Sequence, residues 1–146
     1  MTESDVARLL MFAAEGNRYG CKLEAVREIL PFRAVTRLPG APPYVVGLIN
    51  LRGRLVTVVD LAVQLGNRDA GSVLPPGASI VLLESGTRLV GVMVDEVRDV
   101  RPVSAGAVEP IQNDGAAPGV FRALARFADG TAVVLDTDAL IAQVLQ

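Results

Sequence analysis

The chain has no histidine and no tryptophan, and a single cysteine and a single lysine among 146 residues. Each shortage removes a class of chemistry. Without histidine there is no imidazole general base, no Ser-His nucleophile, no phosphohistidine and none of the commonest metal ligand. With one cysteine besides, a zinc site would rest almost wholly on carboxylates, an improbable donor set. No glycine-rich loop ends in Lys-Ser or Lys-Thr, so a P-loop is missing too. Neither a metal, a cofactor nor an active site is expected. Cys21 has no partner for an internal disulfide, which suits a reducing cytoplasm, and reads as a small buried hydrophobe.

Aromatics are also scarce, at 4%, the net charge is -2, and the arginines are scattered. A nucleic-acid binder needs a basic footprint and stacking platforms, so that class is set aside. Apolar runs such as 55–59 fall far short of the roughly 20 residues that cross a bilayer. Glu3 and Asp5 stand where a secretory signal carries basic residues. The expectation is a cytoplasmic protein that does not insert into membranes.

What is present is core-forming material: 51% hydrophobic and 21% charged residues, enough for one domain or two small lobes sharing a core. Short strand-like runs lie between turn signals. Residues 8–13 and 19–23 flank Glu15-Gly16-Asn17, a hairpin by composition. Val26 and Ile29, three apart, fit a helical turn or bend over 24–29, which Pro31 discourages from continuing. Strands over 44–51 and 54–59 flank Arg52-Gly53, whose glycine supplies a positive φ. Asp60 caps a short helix over 61–65. Residues 67–77 are the best linker. Strands over 79–84 and 88–94 flank Ser85-Gly86-Thr87, and strands over 121–127 and 132–135 flank Asp129-Gly130. Asp136 caps a final helix from about 138 to 144 with an apolar stripe at Leu140, Ile141, Val144 and Leu145. The small-residue stretch 104–119 reads as an exposed loop.

The second half echoes the first. Gly20, an apolar run, Glu24 and Val26-Arg27-Glu28-Ile29 are matched by Gly91, an apolar run, Asp95 and Val97-Arg98-Asp99-Val100. Arg52-Gly53, a strand, Asp60 and a helix are matched by Asp129-Gly130, a strand, Asp136 and a helix. Order and spacing agree, so two lobes are expected, with 19–66 and 79–136 as the repeated segments.

The segment Gly47-Leu48-Ile49-Asn50-Leu51-Arg52-Gly53, a strand, then Asp60-Leu61 closely resembles the signature of the CheW family. Thr57 departs from it, since many members carry proline there. Residues 91–100 resemble the family's second characteristic segment, and the likeness runs from about 8 to 145. It implies a mainly β fold: two intertwined five-stranded SH3-like barrels with a C-terminal helix. It also implies a non-enzymatic adaptor that binds the regulatory domain of a CheA-type histidine kinase and the cytoplasmic tip of a methyl-accepting chemoreceptor. Such an adaptor works in the cytoplasm beside membrane receptor arrays. No receiver, kinase or phosphotransfer module is expected beside the match.

The resemblance points to Val26, Glu28, Gly47, Asn50, Arg52, Val94 and Val97 as receptor-contact residues. Simpler readings stand beside each. Arg52 is either a solvated hairpin-tip arginine or a fork for carboxylates and carbonyls of a partner. Asn50 is either a partner contact or a stabiliser of its own turn. Gly47 marks a close backbone approach, so a larger residue there would block docking. Val26, Val94 and Val97 are core or groove lining, and Glu28 a contact or a solvated acid. No residue is assigned to the kinase face. Two other classes remain: a twin-barrel module with a small-ligand pocket, and a hydrolase using Asp95, Glu96 and Asp99, acids spaced along a short bend. The first would show a ligand-driven thermal shift; the second would lose activity when those acids become alanine.

Overall fold

The computed structural model describes residues 6–72, 74–111 and 119–145. Among the described residues, eleven strands and two short α-helices follow in the order β1 (Val6–Ala14), β2 (Asn17–Lys22), β3 (Val26–Pro31), β4 (Val45–Leu51), β5 (Arg54–Asp60), α1 (Leu61–Gln64), β6 (Ser79–Ser85), β7 (Arg88–Val94), β8 (Glu96–Ser104), β9 (Val108–Pro110), β10 (Phe121–Phe127), β11 (Gly130–Leu135) and α2 (Thr137–Val144). They build two sheets, β8-β1-β2-β11-β10-β9 and β3-β6-β7-β5-β4, which we term the first and second barrels.

The barrels are intertwined. The opening hairpin β1–β2 sits with β8–β11, while β6–β7 sits with β3–β5. The stitching is parallel in both: β2 meets β11 at Tyr19 and Val133, and β5 meets β7 at Thr57 and Val90. The second barrel closes where the chain beyond β3 swings onto β4. There Thr36 and Leu48 exchange backbone hydrogen bonds of 2.8 Å each.

Alternation along the strands explains why neither barrel stands apart. In β6, Ile80 and Leu82 fill the second barrel, while Val81 and Leu83 face the seam between the barrels. In β1, Leu9 and Met11 fill the first barrel while Leu10 and Phe12 face that same seam. Strands buried on both faces read as unbroken apolar runs, which these do. The seam core also takes Leu61 of α1 and Leu140 and Ile141 of α2. Cys21 lies within it with no exposed surface, and burial pushes its thiol up to about 12.

The turn chemistry follows its residues. Glu15-Gly16 and Arg52-Gly53 both carry positive φ at their two central positions, the geometry that matches the twist of the flanking strands. Asp60 Oδ1 accepts hydrogen bonds from the Ala62 and Val63 amides at 3.0 and 3.3 Å, and Asp136 Oδ1 from the Ala139 amide at 3.0 Å.

Three expectations need correction. The turn expected over 24–29 is a 3-10 turn at Leu23–Ala25 followed by β3, whose residues alternate between half-buried and exposed. Pairing with β6 overrides the weak helical spacing of Val26 and Ile29. Glu96 and Asp99 lie in β8 rather than on a bend. Charges and Pro102 disguise that strand, as they do for many edge strands. The stretch expected to be a loop from 104 includes β9; its residues 112–118 lie outside the described part.

The rim of the first barrel is tied by one acid. Asp129 accepts from Arg101 at 2.8 and 3.0 Å and from Arg18 at 3.3 Å, and both guanidinium groups lie over the Phe127 ring. The Arg101 hydrogen bonds hold the Asp129 carboxyl down at about 2. Its folded value is thus below the unfolded one, so the contact stabilises the fold above about pH 4 and is lost as pH falls through about 2. Asp129→Asn should therefore melt below the parent near neutral pH, and thermal melts at about pH 2 should show that gap closing. A constant gap would show that the Asp129 charge is not what matters.

Candidate partner-binding site

The tip between β4 and β5 is built to present one arginine. Arg52 has φ 51, a left-handed conformation that asparagine or glycine adopts at lower cost. The Asn50 side chain holds the turn, its Oδ1 accepting from the Gly53 amide at 2.8 Å. Asn50 thus has the turn-stabilising role. Arg52 projects with its side chain 67% exposed, and its Nη2 donates to Glu28 Oε1 at 2.6 Å. That hydrogen bond, before any other cause, lowers the Glu28 pKa and raises that of Arg52. A strained, non-glycine tip that carries an exposed charged fork is a pattern typical of binding surfaces.

More cations crowd the same end. Arg33 donates to the Asn50 carbonyl at 2.5 Å, Arg54 donates to the Thr87 carbonyl, and Arg27 pairs with Glu84 at 2.8 Å. Leu55, opposite Asn50 on the paired strand, is 66% exposed. Arginine beside exposed apolar surface is the composition of interface cores. Sequence reasoning passed over Arg33 and Arg54. Only the Arg-Gly-Arg run at 52–54 hinted at the second, and nothing local marked the first.

Gly47 has its close approach within the chain itself. A Cβ there would lie 2.2 Å from the Thr36 carbonyl oxygen and 3.2 Å from Arg37 Cα. Val26, two residues before Glu28, is half-buried and packs on the seam core. Val94 and Val97 are not brought to the Arg52 tip. Val94 pairs with Ser79 at the opposite end of the second barrel and is fully buried. Val97 lies beyond the β7–β8 corner, pairs with Phe12 and packs on the seam. The structure thus groups Glu28, Asn50 and Arg52 tightly, keeps Gly47 and Val26 on the same two strands, and sets the two later valines in the seam. Elsewhere a half-open apolar trough of about 750 Å³ lies between the 32–46 segment and the connector, walled by Phe32, Val35, Leu38, Leu74 and Met93.

Two barrels joined through a common core, with an arginine-bearing tip on one, define a class of paired-barrel β modules. The model of the CheW-like domain matches residues 8–145, and the chain belongs to that family. It is 33% identical over 101 residues to the chemotaxis protein CheW of Klebsiella aerogenes, covering 69% of this chain and 60% of that protein. It is 34% identical over 102 residues to the chemotaxis protein CheW of Rhizobium meliloti, covering 70% and 64%. The chain thus spans less than two thirds of the length of these relatives. Its fold is that of the scaffolding protein TtCheW from Thermoanaerobacter tengcongensis, with a TM-score of 0.81 at 24% identity over 89% of this chain and 88% of that one.

Proposed function

We propose that the protein is a stoichiometric adaptor coupling a CheA-type histidine kinase to chemoreceptors. It binds the regulatory domain of the kinase and the cytoplasmic tip of a methyl-accepting chemoreceptor, without catalysis of its own. Family membership supports this reading, as do the chemotaxis names of the relatives. The observation that carries it is the exposed Arg52–Glu28 pair on a strained, side-chain-braced turn. A receptor tip is a helical coiled coil, and a rigid guanidinium fork beside exposed Leu55 suits a helix face bearing apolar and acceptor groups. Receptor contact is assigned to Arg52 and Glu28, with Asn50 bracing the turn, Gly47 and Val26 shaping the strands beneath them and Val94 and Val97 supporting the seam.

Work beside membrane receptors needs no span of its own, and no helix among the described residues is long and apolar enough to cross a bilayer. The deciding experiment is calorimetric titration with the regulatory domain of a CheA-type kinase from the same organism. Saturable one-to-one binding is the expected result. No heat and no complex, with both proteins folded, would overturn the adaptor reading.

A further inference from the structure

Residues 67–77, between α1 and β6, read from sequence as a linker, yet the second of them is buried at the seam. The Arg68 side chain is 4% exposed and meets three carboxylates from three parts of the fold. Its Nη1 donates to Glu15 Oε1 and Asp95 Oδ1, and its Nη2 to Asp60 Oδ1, all at 2.9 Å. Glu15 sits on the β1–β2 turn of the first barrel, and Asp60 ends β5 in the second. Asp95 is the corner where the chain passes from β7 in one barrel to β8 in the other.

The acids are themselves tied together. The Glu15 amide donates to Asp95 Oδ2 at 2.8 Å, and the Asp95 amide to the Ala13 carbonyl at 3.0 Å. Asn67, one residue earlier, adds a bond from its side-chain amide to the Tyr19 hydroxyl at 3.3 Å and one from its backbone amide to the Ala62 carbonyl at 2.8 Å. Burial opposes the charge on Arg68, and the hydrogen bonds to Asp60 and Asp95 outweigh it, so the pKa stands above its ordinary value. A planar fork reaches three acceptors at once; an ammonium group on a flexible stem does not hold them in one geometry.

Buried ion clusters add little net stability, because desolvation cancels much of the attraction; what they can add is a single preferred arrangement. The arrangement here is that of one barrel against the other. We propose that Arg68 is a positioning residue that fixes the relative orientation of the two barrels. It thereby sets the first barrel against the second, whose β3 strand and β4–β5 turn carry Glu28 and Arg52. The consequence for docking rests on the receptor reading given above; the orientation itself does not.

The test uses Arg68→Met, which keeps bulk and removes the fork, with spin labels on cysteines introduced at exposed Thr87 in the second barrel and exposed Ser104 in the first. Buried Cys21 stays unlabelled because its thiol is both covered and held protonated. With the far-UV spectrum unchanged, the distance distribution should widen about twofold. Affinity for a receptor-tip peptide hairpin should fall by about fivefold or more. An unchanged distribution would overturn the latch. A widened one with unchanged affinity would overturn its bearing on docking. Arg68→Lys, which keeps the charge, should fall between the two; full recovery would show that charge alone suffices and the fork argument is wrong. Arg52→Ala in the same assay separates the two claims: if it binds normally, the receptor reading fails whatever Arg68 does.

Discussion

Gly47→Val should lower the melting temperature by roughly 10 °C. The added Cβ would sit 2.2 Å from the Thr36 carbonyl oxygen and 2.8 Å from its carbon, both backbone atoms that no rotamer change can move. With φ at 155, a side chain is strained there whatever the space. Relief comes only by pushing residues 36–37 off β4, which breaks the two Thr36–Leu48 hydrogen bonds of 2.8 Å. Two backbone bonds at about 1 kcal/mol each, with about 1–3 kcal/mol of overpacking, give about 3–5 kcal/mol. Gly53→Ala is the control: a Cβ there meets nothing within 4 Å, so only its positive φ is penalised. Thermal denaturation followed by circular dichroism decides the matter. An unshifted melt would mean that the 36–48 contact contributes nothing. Loss of receptor binding at an unchanged melting temperature would instead make Gly47 a docking contact.

Arg52→Ala should weaken binding of the receptor tip by roughly tenfold while leaving affinity for the kinase regulatory domain within about twofold. The fold should tolerate the change, because exposed ion pairs contribute little to stability. Its melting temperature should stay within about 2 °C of the parent. Glu28 accepts the hydrogen bond that the Arg52 side chain donates, so Glu28→Gln should move receptor affinity in the same direction by less. The double variant should then show the two effects to be non-additive. Receptor affinity in the parent should also fall as salt is raised, and Arg52→Ala should flatten that dependence. Equal loss of both partners, or a large drop in melting temperature, would assign Arg52 to the fold rather than to receptor docking.

Hairpins were the most legible part of the molecule. Glu15-Gly16 and Arg52-Gly53 announced their turns through glycine placement, and Asp60 and Asp136 announced both helices through cap chemistry. Each of these signals lies within a few residues. β8 was not legible, because Glu96, Arg98, Asp99 and Arg101 conceal an edge strand whose pairing with β1 is wholly non-local. For the same reason Val26 and Ile29 looked helical until β6 lay beside them. At the site, Arg52 and Asn50 were readable because one turn contains both. Glu28 came from the family pattern alone, and its contact with Arg52 was not legible because it joins two different strands. Arg68 could not be found at all: its three acids lie at positions 15, 60 and 95, and no periodicity links them.

The parallel seam between β2 and β11 also sets an order of assembly on the ribosome. All five strands of the second barrel lie between Val26 and Val94, whereas the first barrel needs Tyr19 to meet Val133. A chain emerging N-terminus first therefore makes β1–β2 early and completes its sheet last. In the interval Leu9 and Met11, which fill the first barrel of the finished protein, have no barrel to enter. Such long-range pairing folds slowly, and the nascent hairpin is the segment a chaperone would have to shield.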